Sequence, residues 1–353
     1  MRQAVYTGPR TIALRDTPSA APGPGDVLID VSYTGVCGTD LHIFHGDMDG
    51  RVQAPVVLGH EMSGRIAALG QGVDRWAIGD PVTVMPLDWC GECPACRAGN
   101  SHVCQRLNFI GIDSPGAMQQ SWTVPAQTLI RLPESLSLRT AALVEPTAVA
   151  VHDVRRAGLR PNETALVVGG GPIGLLIALV ARSEGADVVV AEVNARRRAR
   201  AESLGFTTLD PLSTDVTGWI DNWTDTAGVD VTFEVSGAAA GVETAVDAMR
   251  VRGRLCLVAI HPRPQLVNLH RFFWRELTLV GARLYRAPDF ERAVELLNTG
   301  VIPAPGLITR EVPLADAAAA FAELEAGEGV MKILVDCQRG GMANTVSGEQ
   351  ERQ

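Results

Sequence analysis

The chain lacks any apolar stretch of membrane length. Its longest such run, around Ile173 to Ala181, is far too short to cross a bilayer, and the start, MRQAVYTGPR, has no long apolar segment of the secretory kind. It also lacks a basic excess: 31 Lys and Arg stand against 40 Asp and Glu, a net charge of -9. That balance argues against a nucleic-acid partner, because phosphate binding needs a concentrated basic surface. No repeat of solenoid length is visible. Cysteine is sparse outside one stretch, with four of the seven lying between Cys90 and Cys104. The expectation is a cytoplasmic protein with no nucleic-acid or membrane partner, and in that compartment clustered cysteines point to metal ligands rather than disulfides.

What is present is an ordinary globular composition, 46% hydrophobic and 20% charged, over 353 residues, enough for two domains with separate cores. The organising stretch is Thr164 to Asn194. Ala165 to Val168 reads as a strand buried on both faces, and it runs into Gly169-Gly170-Gly171-Pro172-Ile173-Gly174, a G-x-G-x-x-G turn. Gly169 allows the tight turn, Gly171 the approach of backbone N–H groups to a pyrophosphate, and Gly174 the close packing of the next helix. The helix start, with Pro172 and Ile173, then faces the anion. A second apolar strand, Val188 to Ala191, ends in Glu192, whose carboxylate suits the adenosine ribose hydroxyls and opposes a 2′-phosphate. NAD is therefore the expected cofactor. Arg196, Arg197 and Arg198 complicate that reading, since a guanidinium there could pair with a 2′-phosphate; the plainer view puts them on the solvated face of the next helix.

From Ala165 to about Leu284 strands alternate with helices, the pattern of a doubly wound parallel sheet. Ligands bind at the carboxyl ends of such strands, which brings Ser236, Gly237 and the Ala259 to His261 turn to the cofactor cleft. Residues 1 to about 145 instead hold short apolar segments punctuated by Gly and Pro, a β-rich and partly barrel-like pattern.

Two residue sets carry metal chemistry. Cys90, Cys93, Cys96 and Cys104 follow Cys-x2-Cys-x2-Cys-x7-Cys, a spacing that closes a tetrahedral zinc site; an iron–sulfur cluster and a redox pair are the competing readings. Such a saturated shell has no open position and is expected to be structural. The second set is mixed. Cys37, His60 and Glu61 of GVCGTDLH and GHE, with Glu145 of LVEP, would suit zinc with a position left open for water or substrate. Pro146 fits the first turn of a helix running through Arg156, placing Glu145 at its positive end.

GVCGTDLH, GHE, CGECPACRAGNSHVC, LVEPTAVAVHDVRRAG and VVGGGPIG, in this order, resemble the zinc-dependent medium-chain dehydrogenases over roughly residues 1 to 337. Within that family the chain looks most like the sorbitol and (R,R)-2,3-butanediol dehydrogenase branch, because Glu145 stands where liver-type alcohol dehydrogenases have a second cysteine ligand. The resemblance implies an α/β protein, a GroES-like β-rich catalytic domain over 1–149 and 288–337 and a Rossmann NAD-binding domain over 150–287; the polar, glycine-bearing composition of 338–353 implies a disordered tail. It implies two zinc ions per chain, one catalytic and one structural. The catalytic ion would be held by Cys37, His60 and Glu61 with water, and Glu145 would bond that water or exchange into the shell. Thr39 would take the substrate proton and His42 pass it to solvent. Asp40 would orient His60. The cofactor residues expected are Gly169, Gly171, Pro172, Ile173, Gly174, Glu192, Arg197, Ser236 and Ala259.

The implied activity is hydride transfer from a secondary alcohol, a small vicinal diol or polyol, to NAD, with a small-molecule alcohol or ketone as substrate and a homodimer or homotetramer as the assembly. A threonine- or amino-cyclitol-type dehydrogenase and a non-catalytic NAD-binding zinc protein are the alternatives. Sorbitol enzymes carry an arginine directly before the tyrosine of the strand that follows the last Rossmann helix. Here Leu284 precedes Tyr285 and Arg283 is one residue earlier, so strand alternation would turn Arg283 away and favour a small diol or hydroxyketone over a hexitol.

Overall fold

Alternate residues of Thr164–Val168 enter different cores: Ala165 and Val167 pack in one cluster, Leu166 and Val168 in another. A strand shares its side chains between two faces in this way only when both faces are covered. The computed structural model, which describes residues 1–327 and 330–339, places this strand at the middle of a six-stranded parallel sheet. The order across the sheet is Thr207–Leu209, Asp187–Ala191, Thr164–Val168, Val229–Glu234, Met249–Leu257, Thr278–Gly281. The order reverses on either side of Thr164–Val168, which opens a crevice at the carboxyl ends of Thr164–Val168 and Val229–Glu234.

Gly169 (φ 107°) turns there, and a Cβ on it would stand 2.9 Å from the Ser236 nitrogen. A Cβ on Gly174 would run into the Gly169 carbonyl, so the helix Pro172–Ser183 leaves the strand at the distance that only glycine allows.

The strand Met249–Leu257 ends just before the Ala259 to His261 turn. Val258 and Ala259 both donate their N–H groups to the Glu234 carbonyl (3.0 Å each), which pulls the chain out of the ladder and into the crevice.

The second large sheet has seven strands centred on Asp26–Gly35, which pairs antiparallel with Glu61–Leu69, Ser121–Pro125 and Lys332–Asp336. The last of these comes from the far end of the chain, with Ile308–Pro313 parallel beside it. A three-stranded sheet of Thr11–Asp16, Arg2–Gly8 and Val56–Val57 completes the β-rich part. Two registers matter for the site: Gly35 lies opposite Glu61 on one side and opposite Leu334 on the other. The disorder expected from Gln338 does not begin there: Gln338 donates its side-chain amide to the Val31 and Gln120 carbonyls (2.8 Å each) and Arg339 its N–H to Asp336, while 340–353 lie outside the described residues.

Candidate functional site

The register of two strands builds the mixed ligand set. Cys37 follows Asp26–Gly35 and caps the helix Gly38–His45: its sulfur accepts from the Thr39 N–H (3.5 Å) and its own N–H donates to Asp40 Oδ2 (2.9 Å). Glu61 opens the facing strand, with His60 just before it. The donor atoms of Cys37, His60 and Glu61 consequently lie within 4.8 Å of one another, with His60 and Glu61 buried. Gly35 is required here, because a Cβ would occupy the position of the Glu61 carboxylate. Phe109 meets the His60 ring edge-on at 5.2 Å between centroids.

Asp40 faces His60 as expected, yet Oδ1 and Nδ1 are 3.6 Å apart, too far for a hydrogen bond, and neither atom has another partner. Burial lowers the affinity of His60 for a proton, but the charges of Asp40 and Cys37 outweigh it and raise its pKa. An acidic, sulfur-bearing environment that draws positive charge onto an imidazole fits a bound cation.

Glu145 lies in the first turn of Val144–Arg156, outside the three-residue set. Burial pushes its carboxyl up to about 7, against the pull of His60. Tyr285 is fully buried beside it, its hydroxyl without a hydrogen-bond partner and kept protonated by burial and by the Glu145 charge. Thr39 is half-buried on the first helical turn, and His42, one turn on, is exposed with Nδ1 3.2 Å from Asp47 Oδ2.

Sequence reasoning missed Lys332. This is the only lysine in the chain, and its Nζ lies 2.7 and 2.6 Å from the two oxygens of Glu61. A single charged residue inside the apolar run Met331 to Val335 was the signal that marked it.

The four clustered cysteines converge. Cys90 to Cys96, Cys93 to Cys104 and Cys104 to Cys90 are separated by 3.9, 3.8 and 3.5 Å between sulfurs, and all are free thiols. The edge of a tetrahedron with zinc–sulfur bonds of about 2.3 Å is ~3.8 Å, so the spacing fits one ion and is far too long for a disulfide. Backbone N–H groups of Glu92 and Cys93 hold the Cys90 thiol down at about 6, in the thiolate range.

In the crevice, Glu192 accepts the N–H groups of Gly170 (2.6 Å) and Asn194 (2.7 Å). Its position at the end of Asp187–Ala191 suits ribose hydroxyls. Of the three arginines expected on a solvated face, Arg198 is drawn into an ion pair with Asp210 (3.0 Å), and Arg197 points back toward Glu192 (4.0 Å). Pro172 and Ile173 begin the helix whose start faces the turn. Ser236 is held by Glu234, which also takes Nε2 of His261 at 2.9 Å, a contact that sequence reading did not foresee. Ala259 lies on the adjoining turn.

Leu284 does not lie in a strand, contrary to the expectation. The strand ends at Gly281, and Leu284 has φ 59° in the left-handed region. Strand alternation does not reach residues 283–285, so it sets neither the direction of Arg283 nor a preference for short substrates.

Similarity to known proteins points the same way. Residues 23–134 match the family described as "Alcohol dehydrogenase GroES-like domain" and residues 172–299 the family described as "Zinc-binding dehydrogenase". The chain is 48% identical over 337 residues to 2-dehydro-3-deoxy-L-galactonate 5-dehydrogenase of Pseudoalteromonas atlantica, covering 96% of this chain and 99% of that one. It is 32% identical to sorbitol dehydrogenase of Halalkalibacterium halodurans, over 91% and 95% of the two chains. The crystal structure of 2R,3R-butanediol dehydrogenase from Bacillus subtilis superposes with a TM-score of 0.88 at 31% identity, over 95% and 99%.

Proposed function

The chain belongs to the zinc-dependent medium-chain dehydrogenases, oxidoreductases acting on CH–OH groups, and from that premise we propose that it oxidises a secondary hydroxyl of a polyhydroxy acid with NAD. The observation that carries the metal chemistry is the buried convergence of Cys37, His60 and Glu61. Bound zinc would supply a Lewis acid that lowers the pKa of the substrate hydroxyl, and bound NAD would accept the hydride. Thr39 takes the hydroxyl proton. His42, at i+3 on the same helix face, passes it to solvent, where its imidazole stands. Glu145 and Tyr285, both buried and beside the three ligands, keep bulk water from that side of the site. Cys90, Cys93, Cys96 and Cys104 hold a second, structural zinc. Glu192 selects NAD by accepting from the adenosine ribose hydroxyls, and Arg197 lies alongside it.

A polyhydroxy acid is favoured among alcohols because the relative at 48% identity is named for one. Two copies would pair along the edge strand Thr278–Gly281 and the helix Leu269–Arg275, where Leu269, Phe273 and Trp274 are exposed. Light scattering on the wild type and on Phe273→Asp tests that pairing. No helix among the described residues is long and apolar enough to cross a membrane, and a cytoplasmic setting would keep the seven thiols reduced.

The deciding experiment is the initial rate of NAD and NADP reduction by zinc-loaded protein with L-galactonate, sorbitol, xylitol, 2,3-butanediol stereoisomers and threonine. The acid is expected to be the best substrate, with NAD. Absence of turnover with every hydroxy compound would overturn the reading.

A further inference from the structure

Turns that follow neighbouring strands of the parallel sheet touch one another along the crevice. A Cβ on Gly169 would stand 2.9 Å from the Ser236 nitrogen, and one on Gly237 (φ 70°) would stand 3.6 Å from the Ile260 carbonyl oxygen and 3.8 Å from the Ala259 Cβ. The glycine turn after Thr164–Val168 therefore abuts the turn after Val229–Glu234, which in its own right abuts the turn after Met249–Leu257. Glu192 lies on the other side of the glycine turn, where it takes the Gly170 N–H at 2.6 Å.

Glu234 joins the second of these turns to the third. Its carboxylate is fully buried, so each oxygen needs a donor. Oε1 accepts the N–H groups of Ser236 (2.9 Å) and Gly237 (3.0 Å) and the Ser236 hydroxyl, whereas Oε2 meets His261 Nε2 at 2.9 Å. A carboxylate only accepts, which makes Nε2 the donor. The His261 side chain is itself 10% exposed, and its Nδ1 is buried without a partner.

That one contact secures a long segment. Between Leu257 and the helix Leu269–Arg275 the chain has no helix or strand, and its first two N–H groups, of Val258 and Ala259, go to the Glu234 carbonyl. Beyond them, among the described residues, the bond from His261 to Glu234 is the only hydrogen bond between 260–267 and the rest of the chain; Gln265 reaches only the Arg263 carbonyl within the segment. Loss of the imidazole would leave the turn tied by its first two residues alone.

We propose that His261, held by Glu234, is a positioning residue that fixes the Ala259 to His261 turn against the nicotinamide end of the bound cofactor. The assignment rests on the NAD reading above. A dinucleotide with its adenosine ribose at Glu192 and its pyrophosphate over the glycine turn runs on toward Ser236 and Ala259, because the strand order puts Val229–Glu234 and Met249–Leu257 on the side away from Asp187–Ala191. A charge-assisted bond to a buried carboxylate is short and directional, and hydride transfer depends on how closely the ring is held. His261 acts through the turn.

The test compares NADH with ADP-ribose, which keeps the adenosine and the pyrophosphate and lacks the nicotinamide ring. In calorimetric titrations of the zinc-loaded protein without substrate, His261→Ala is expected to weaken NADH about tenfold or more and to leave ADP-ribose within about twofold of wild type. Unchanged ADP-ribose binding also shows that the variant is folded. His261→Gln, which can still donate to Glu234, should recover part of the NADH affinity. The fluorescence of bound NADH, set by the surroundings of the ring, should move toward that of free NADH in His261→Ala and less so in His261→Gln. Equal weakening of NADH and ADP-ribose by both variants, or weakening of neither ligand, would overturn the proposal while the dehydrogenase reading stands. Failure of the wild type to bind NADH would overturn the NAD reading and the proposal with it.

Discussion

Lys332 Nζ reaches both carboxylate oxygens of Glu61, at 2.7 and 2.6 Å, across the central strand from one flanking strand to the other. The residue between them is Gly35, which pairs with Glu61 on one side and Leu334 on the other and offers no side chain to block the contact. Both charges are buried, so neither is tolerable alone.

Lys332→Met should therefore cost about 3–5 kcal/mol of stability, as expected for a buried charge deprived of its partner. Denaturant unfolding of the single variants and of Glu61→Gln/Lys332→Met checks this. The double variant is expected to recover most of the loss; additive losses would show that the two residues are not coupled.

Cys104→Ser should lower the metal content from two zinc ions per chain to one and reduce the melting temperature, because four sulfurs spaced 3.5–3.9 Å apart lose a ligand. Metal analysis by mass spectrometry reads the first effect. Two zinc ions retained in the variant would remove the structural assignment of the cluster.

Glu192→Ala should weaken NAD about 10- to 100-fold, the scale of hydrogen bonds made to a charged group, and improve NADP relative to NAD. Arg197 remains beside the vacated carboxylate, 4.0 Å from it in the wild type, and would then be free to meet a 2′-phosphate. Steady-state kinetics with both cofactors decides; an unchanged NAD to NADP ratio would exclude Glu192 as the selector.

Asp289 yields a pH dependence. Burial disfavours its charged form, but His152, the Arg286 N–H and Arg155 outweigh that and hold its carboxyl below the usual 3.8. The unfolded chain therefore takes up this proton at higher pH than the folded one. The stabilisation is complete above the ordinary carboxylate value and is lost as pH falls through the lowered one. Asp289→Asn is expected to cost about 2 kcal/mol at pH 7, and the gap to wild type should close below about pH 4. A gap independent of pH would mean that the charge plays no part.

Short-range patterns carried much of this in the sequence itself. The glycine turn after an apolar strand, the carboxylate closing the next strand and the four-cysteine spacing are local, since each needs only the chain's own periodicity and a few neighbouring residues. Gly169, Gly174 and Glu192 could be assigned from their neighbours alone, and Glu145 at a helix start from Pro146. The sequence alone thus determined the parallel nucleotide-binding sheet, the two candidate metal sets and the family. Other features depended on strands that meet far from one another in the chain. Lys332 joins Glu61 over 271 positions because the last strand closes onto the first long one, and no window of sequence holds both. Leu284 looked like a strand residue and is a left-handed turn, because the ladder stops at Gly281. The contact of His261 with Glu234 likewise joins the ends of two neighbouring strands, 27 positions apart in the chain. Only tertiary structure decided those, because burial and pairing are properties of what packs against a residue and not of the residue's own neighbours in the chain.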